Sequence, residues 1–442
     1  MELPPEVLIE KISYLPFKQA ARLSLVAKRW RNLYREMKNI VFKESDFAKD
    51  LFSYDTGTTH ERVSFVHRME QWISRFPGNS INRFEIYFPA PYGFQETIAS
   101  LVDMVLSKQV KILVLDFSHP ETSIHYHVAD VVLPGCVYDQ TTTIESLKLI
   151  SCSLDSSKFK NSTVLRSLTI GRLDLKDVTI MLSNFPSLEC LRFVNCLSLD
   201  YYVMFTLNQR LRELVFEDCD FSPSYCTLEL PQVVIVKCSG NLPCFTFHGV
   251  VSERMQEAEL DFWLEGASVY RTEVDLGKLL NGVSHAKTLT ICSFALQVIP
   301  CDDGGLLSSF GTRHLVMRTN LHPYELTGIS LMIHKCPLLE SLTLQIVPPK
   351  LMEVLLPKEF NADTYWLDEI THECLEKTLK VVVVRGFGNL YELQILTYLV
   401  KHGLVLERLD LYMSEDEMLR VQMALLNVPR GSSRLQITLH NA

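Results

Sequence analysis

One short phrase returns along this chain often enough to dictate its architecture. Apolar residues fill the first, fourth and sixth places of a six-residue unit in Ile81-Phe84-Ile86, Val110-Leu113-Leu115, Ile144-Leu147-Leu149, Leu165-Leu168-Ile170, Leu188-Leu191-Phe193 and Leu211-Leu214-Phe216. The series continues through Leu230-Val233-Ile235, Met255-Ala258-Leu260, Ala286-Leu289-Ile291, a weaker copy on Leu315 and Met317, then Leu339-Leu342-Leu344, Leu379-Val382-Val384 and Leu406-Leu409-Leu411. From Leu147 onward the fourth places are spaced by 21, 23, 23, 19, 25, 31, 26, 27, 40 and 27 residues. The alternation within each phrase is strand periodicity, with places four and six facing in and place five facing out. One copy alone would mean little, because apolar triplets occur in every strand. Recurrence means that each unit relies on its neighbours to bury an apolar face it cannot bury alone.

A period of roughly 20–29 residues resembles that of leucine-rich repeats. Cys152, Cys196 and Cys219 fall three residues after the sixth place of their phrases, the Asn/Cys slot of such repeats. The lead-in recurs as well: Phe185-Pro186-Ser187-Leu188-Glu189 resembles Cys336-Pro337-Leu338-Leu339-Glu340. Segments 177–184 and 328–335 have room for a helical turn or two. The expected fold class is therefore α/β, a curved solenoid with a parallel sheet on its concave face. Its fifth-place residues Lys148, Thr169, Arg192, Val215, Glu259, Thr290, Thr343 and Asp410 are expected to face a target. They are chemically mixed and name no ligand class.

The opening of the chain has a different pattern. Pro5 suits a first helical turn, Glu6 the positive end of a helix dipole, and Pro16 ends the helix. Leu8, Ile12 and Leu15 form one stripe, widened by Val7, and Leu23, Val26, Trp30 and Leu33 form a second. So short a segment is expected to leave apolar surface around Trp30 for a partner. The series Leu3-Pro4-x-Glu6-Val7-Leu8, Ile12, Leu15-Pro16, Arg22, Val26-x-Lys28-Arg29-Trp30-Arg31-x-Leu33 resembles an F-box. That family folds as a small helical unit docking on the Skp-type adaptor of SCF ubiquitin ligases. The resemblance implies adaptor contacts at Leu3, Pro4, Val7, Leu8, Ile12, Leu15, Pro16, Val26, Arg29, Trp30 and Leu33. Ala27 stands where many members carry Cys or Ser.

At the other end, Cys374-Leu375, Thr378 to Asn389, Glu392-Leu393, Tyr398 to Lys401 and Leu406-Glu407 are similar to the FBD segment of plant F-box proteins with leucine-rich repeats. The expected organisation is an F-box over 1–45, a connecting helical segment over 46–80 with Phe65, Met69, Trp72 and Ile73 on one face, a solenoid over 81–361, and an FBD segment over 362–442 that closes its open edge.

Charge and chemistry narrow the function. Residues 1–45 hold nine Lys/Arg against five Asp/Glu, while the whole chain carries 43 against 52. A basic head on an acidic body suits docking to an acidic protein surface and argues against nucleic acid as a partner. The first residues lack a signal-peptide pattern and no run approaches a membrane span, so the expected location is cytoplasm or nucleus. Twelve scattered cysteines without C-x-x-C pairs fit that compartment and offer no metal site. Gly386-Phe387-Gly388 lacks the third glycine of a nucleotide-binding turn. His372-Glu373-Cys374-Leu375-Glu376 ends in Glu where a zinc-protease helix needs His. His125-x-His127 supplies only two ligands, and Asp302-Asp303-Gly304-Gly305 reads as a loop. No cofactor, catalytic group or RING-type ligand set is expected. The resemblance implies a non-catalytic substrate receptor that joins a cullin through the adaptor and binds an unidentified protein target. A repeat scaffold without a ligase link, or a small-ligand receptor, are the alternatives.

Overall fold

The computed structural model describes residues 4–13, 15, 17–26, 37–47, 58–119, 131–140, 143–173, 183–196, 210–221, 226–228, 232–243, 245–247, 254–263, 269–299, 309–348, 361, 364–367, 371–386 and 391–441. They fall into two units, Met1–Asp200 with Thr206–Leu211, and Tyr201–Phe205 with Arg212–Ala442.

In the first unit six parallel strands pair in chain order: β1 (Asn39–Lys43), β2 (Arg83–Tyr87), β3 (Ile112–Asp116), β4 (Ser146–Ile150), β5 (Ser167–Gly171) and β6 (Cys190–Val194). Their fourth places Ile40, Phe84, Leu113, Leu147, Leu168 and Leu191 stand in one line, and the sixth places Phe42, Ile86, Leu115, Leu149, Ile170 and Phe193 in another. All twelve are fully buried. At about 1.5–3 kcal/mol per large apolar side chain, these two lines supply much of what holds the strands together.

The second unit repeats the plan with nine parallel strands: β7 (Glu213–Cys219), β8 (Ile235–Gly240), β9 (Glu257–Phe262), β10 (Thr288–Cys292), β11 (His314–Thr319), β12 (Ser341–Ile346), β13 (Val381–Arg385), β14 (Arg408–Met413) and β15 (Gln436–Asn441). One line runs Leu214, Val236, Ala258, Leu289, Leu315, Leu342, Val382, Leu409 and Ile437. Leu315 belongs to the weak copy, whose first place is Thr312. That buried hydroxyl donates to the Ala286 carbonyl at 2.9 Å, so a polar residue is accommodated where the phrase asks for an apolar one.

The expected register fails once. Leu214 pairs with Val236, not Val233, so this phrase is Val233-Val236-Cys238 and Ile235 is turned out. Residues 233–236 are all apolar, and a run without alternation fits either phase; the neighbouring strands choose. The correction replaces the uneven steps of 19 and 25 residues by two of 22. The ladder also starts earlier than expected, because Met37-Ile40-Phe42 inside the first 45 residues is itself a copy of the phrase.

Six of the strands end in the same turn. The eighth place is left-handed at Ser151 (φ 55°), Arg172 (52°), Asn195 (51°), Asp218 (52°), Gly240 (99°) and Gly386 (89°). This geometry lets the Ser151, Arg172 and Gly386 amides donate to Gly171, Val194 and Tyr412 at 2.9 Å, extending the ladder by one bond. In the ninth place the Cys196 thiol approaches the Ile170 and Val194 carbonyls at 3.5 and 3.7 Å, and Cys152 and Cys219 make similar contacts. A buried thiol there satisfies carbonyls that the turning chain would strand.

Repeat length decides what fills the return path. Long repeats carry helices: α3 (Thr58–Ser74) and α4 (Gln95–Leu106) in the first unit, and α6 (Val269–Gly282), α7 (Ser293–Val298), α8 (Pro323–Lys335), α9 (Glu373–Lys377), α10 (Tyr391–His402) and α11 (Glu415–Leu426) in the second. A six-residue helix, α5 (Gly135–Gln140), precedes β4, while α1 (Pro5–Ile12) and α2 (Phe17–Val26) form the head. Segment 328–335 is helical as expected, within α8; segment 177–184 lies almost wholly outside the described residues. Phe65, Met69, Trp72 and Ile73 are buried on α3, with Trp72 against Phe42 of β1 at 6.0 Å. The expected connecting helix is thus the return path of the first repeat. Arg62 on the same helix lies 2.9 Å from buried Glu44 and donates to the Pro89 and Ala90 carbonyls.

Two polar clusters fasten helices of the second unit. Glu325, fully buried in the first turn of α8, accepts from Ser293 and Thr319 and from the Asn320 amide at 3.0 Å. Gly328 lets α8 approach α7 closely, since a β-carbon there would lie 2.0 Å from the Leu296 carbonyl oxygen. Farther along, buried His372 bridges Ser330 and Tyr398.

Among the described residues β15 pairs with β14 alone, and its Ile437 and Leu439 are half-buried. The C-terminal segment adds further repeats to the sheet, and the expected closure of an open edge is not confirmed.

Candidate docking surfaces

The head is small and tied to the first repeat. Pro4 and Pro5 start α1, where a missing amide costs nothing. Ile12, Ala20 and Met37 form its buried core, with Leu15 and Leu23 partly buried against them. Met37 serves twice, closing the head and opening the first repeat phrase. Lys18 donates to the Asp46 carbonyl and sits over the Phe47 ring at 5.7 Å, anchoring α2 to the turn after β1.

This arrangement sorts the expected adaptor contacts. Pro4 is exposed, Val7 and Leu15 are partly exposed, and Val26 is 75% exposed. Leu8 and Ile12, by contrast, are 5% and 1% exposed. They are the inner stripe of α1, and Ile12 packs with Ala20 and Met37 in the core of the head instead of offering open surface. Leu3, Pro16, Arg29, Trp30 and Leu33 lie outside the described residues, so the tryptophan-centred patch is not placed.

On the solvent face of the strands, Lys148, Thr169 and Arg192 line up in register in the first unit. Val215, Glu259, Thr290, Thr343 and Asp410 share one line in the second, together with Lys237. Lys237 was hidden by the misplaced phrase. Val215 is corrected: at 1% exposure it offers nothing to a target, being shorter than its register neighbour Lys237.

Seventh-place residues share this face and complete its electrostatics. Arg318 reaches across β10, whose Thr290 and Cys292 are small, to Glu259 at 2.6 Å and Asp261 at 2.9 Å. Lys237 contacts Glu257 at 2.7 Å and Glu259 at 3.4 Å. Burial alone would raise the Glu259 carboxyl; the two cations outweigh it and hold the group below its ordinary value. At the C-terminal end Tyr412 stacks on His440 at 4.4 Å, Arg385 lies over the Tyr412 ring at 5.4 Å, and Asp410 contacts Arg408 at 2.9 Å. In the first unit Tyr87 lies beneath Lys43 and Lys148 at 5.1 and 5.8 Å, with its phenol pushed up to about 12 by burial and by Glu85 and Asp116. These two faces carry aromatic rings flanked by cations, a composition suited to protein contact.

Of the H-E pair singled out in the sequence, Glu373 is exposed and contacts Lys377 at 2.7 Å. His372 and Glu325 are buried within the core. His125, His127, Asp302 and Asp303 lie outside the described residues. Among the described residues no group of three or more His, Cys, Asp or Glu could hold a metal, and no helix is long and apolar enough to cross a membrane.

The head and the repeats each match a known family. The F-box domain family matches residues 1–39, and the family of the leucine-rich-repeat domain of At1g61320/AtMIF1 matches residues 73–427. The chain belongs to the F-box/leucine-rich-repeat family. Similar relatives come from Arabidopsis thaliana: putative F-box protein At3g29830 is 39% identical, the alignment covering 100% of this chain and 97% of that protein. Putative F-box/LRR-repeat protein At1g56400 is 40% identical over 93% of this chain and 90% of its own length. F-box/FBD/LRR-repeat protein At1g78750 is 24% identical over 99% and 95%. In this F-box/leucine-rich-repeat chain the exposed head residues and the two strand faces are the candidate docking surfaces.

Proposed function

We propose that this chain is the substrate-recognition subunit of an SCF-type ubiquitin ligase, acting in the cytoplasm or nucleus. The head binds a Skp-type adaptor and through it a cullin, and the strand faces bind the protein to be ubiquitinated. No residue of this chain takes part in the transfer. It holds the target beside the ligase's conjugating enzyme, turning a bimolecular encounter into an effectively intramolecular one. Residues 362–442 serve as the chain's FBD segment.

The observation that carries this reading is the union of an F-box over residues 1–39 with a repeat domain over 73–427 in one chain. The exposed Val26 and the sequence around Trp30 supply an apolar contact within a basic segment, which complements an acidic adaptor surface. The test is co-purification of the full chain with a Skp-type adaptor. The wild type is expected to retain the adaptor, and Val26→Asp with Trp30→Ala to lose it while circular dichroism stays unchanged. Equal recovery by both chains would leave a repeat scaffold without a ligase role.

A further inference from the structure

The last repeat presents an apolar surface that the proposed function does not use. Helix α11 buries Val421 and Leu425 on one side, as an amphipathic helix should. Its opposite side, where solvent-facing charge is usual, carries Leu419, Met423 and Leu426 at 68%, 62% and 67% exposure. Their spacing of four and three residues places them in one stripe. In the same repeat the outer edge of β15 has no partner among the described residues, and its sequence Gln436-Ile437-Thr438-Leu439-His440-Asn441 contains neither proline nor an acidic or Lys/Arg residue. Natural edges are normally blunted by such residues when they stay in solvent.

We propose that this end of the chain is a docking surface for a second copy of itself, paired about a twofold axis near Met423. The charges on the helix are self-complementary in that arrangement. Glu415, Asp416 and Glu417 occupy the first turn, and Arg430 and Arg434 follow the last. When two such helices run antiparallel, Leu419 meets Leu426 of the other copy, Met423 meets Met423, and Glu415 meets Arg430. A twofold interface requires this reciprocity, one patch fitting itself. Parallel pairing would set acid against acid and base against base. The Leu435 carbonyl accepts from one Arg430 nitrogen at 3.2 Å, which positions the guanidinium and leaves its other donors available. The same operation turns the two β15 edges antiparallel to each other, so their free amides and carbonyls can pair.

Light scattering on the full-length chain across a wide concentration range tests this. The expected mass rises from the 50.7 kDa of one chain to twice that value. Leu419→Glu with Met423→Glu changes only exposed side chains and is expected to weaken self-association by more than about tenfold. Glu415→Arg is expected to weaken it, and adding Arg430→Glu to restore it. A single-chain mass at every concentration overturns the proposal and leaves the stripe to a different protein. Heterogeneous aggregates, or a dimer indifferent to the Leu419/Met423 change, also overturn it. Failure of Arg430→Glu to rescue Glu415→Arg overturns the antiparallel arrangement.

Discussion

His372 is held in one tautomer by its surroundings. The Ser330 carbonyl, 3.0 Å away, can only accept, so Nε2 carries the proton; Nδ1 is then left to accept from the Tyr398 hydroxyl at 2.5 Å. Burial pushes the imidazole down to about 4, and the nearby His334 and His402 act in the same direction. In the unfolded chain the same group titrates near 6.5. Above that pH both states are neutral and the fold has its full stability. As pH falls from about 6.5 toward 4, the unfolded chain gains a proton that the folded chain refuses, a loss on the order of 3 kcal/mol. The unfolding midpoint is therefore expected to drop over this window more steeply in the wild type than in His372→Gln. Identical pH profiles for the two proteins would remove His372 as the cause. Read in sequence, this residue resembled the start of a zinc helix. Only Ser330, 42 positions away, and Tyr398, 26 away, show that it is a buried fastening.

Within a single repeat, the phrase made most strands legible, because places four and six must be apolar whatever the neighbours are. What stayed hidden has physical causes. Residues 233–236 are uniformly apolar, so phase could come only from Leu214 and Ala258 on either side. Met37-Ile40-Phe42 was masked by the stronger head pattern around it, and Gln436–Asn441 by the lack of a clear first-place apolar residue. Leu8 and Ile12 were rightly read as a stripe, but nothing local says whether a stripe turns inward or toward a partner. The eighth-place turn gives a test at this scale. A β-carbon on Gly240 would meet the Asp218 α-carbon at 2.7 Å, on a backbone at φ 99°. Gly240→Ala is expected to cost about 1–3 kcal/mol. Ser151 occupies the same place at φ 55°. Ser151→Gly is expected to be neutral or to stabilise by up to about 1 kcal/mol. Denaturant midpoints that fail to separate the two variants would show that this turn tolerates either residue.

Taken unit by unit, the molecule is close to a one-dimensional stack, and its stability should vary along it. An inner strand such as β14 has a partner on both sides, and its Leu409 and Leu411 are fully buried. β15 has one partner, and Ile437 and Leu439 stand in the same two lines half-buried. Opening β15 therefore breaks one ladder and exposes little new apolar surface, whereas opening β14 breaks two and empties a core layer. Leu411→Ala is expected to destabilise by about 2–5 kcal/mol, as a buried leucine does. Leu439→Ala, with part of its side chain already in water, should fall well below that range. In the dilute monomeric chain, amide exchange should be fastest over 436–441 and slowest in strands flanked on both sides. Equal protection in β15 and β14, or equal cost for the two alanine variants, would contradict the stack. The gradient has a functional side. The rows that hold Lys237, Glu259 and Arg318 sit on inner strands whose geometry a partner can rely on, while β15, with one partner among the described residues, is the strand expected to open first, where the proposed second copy would pair.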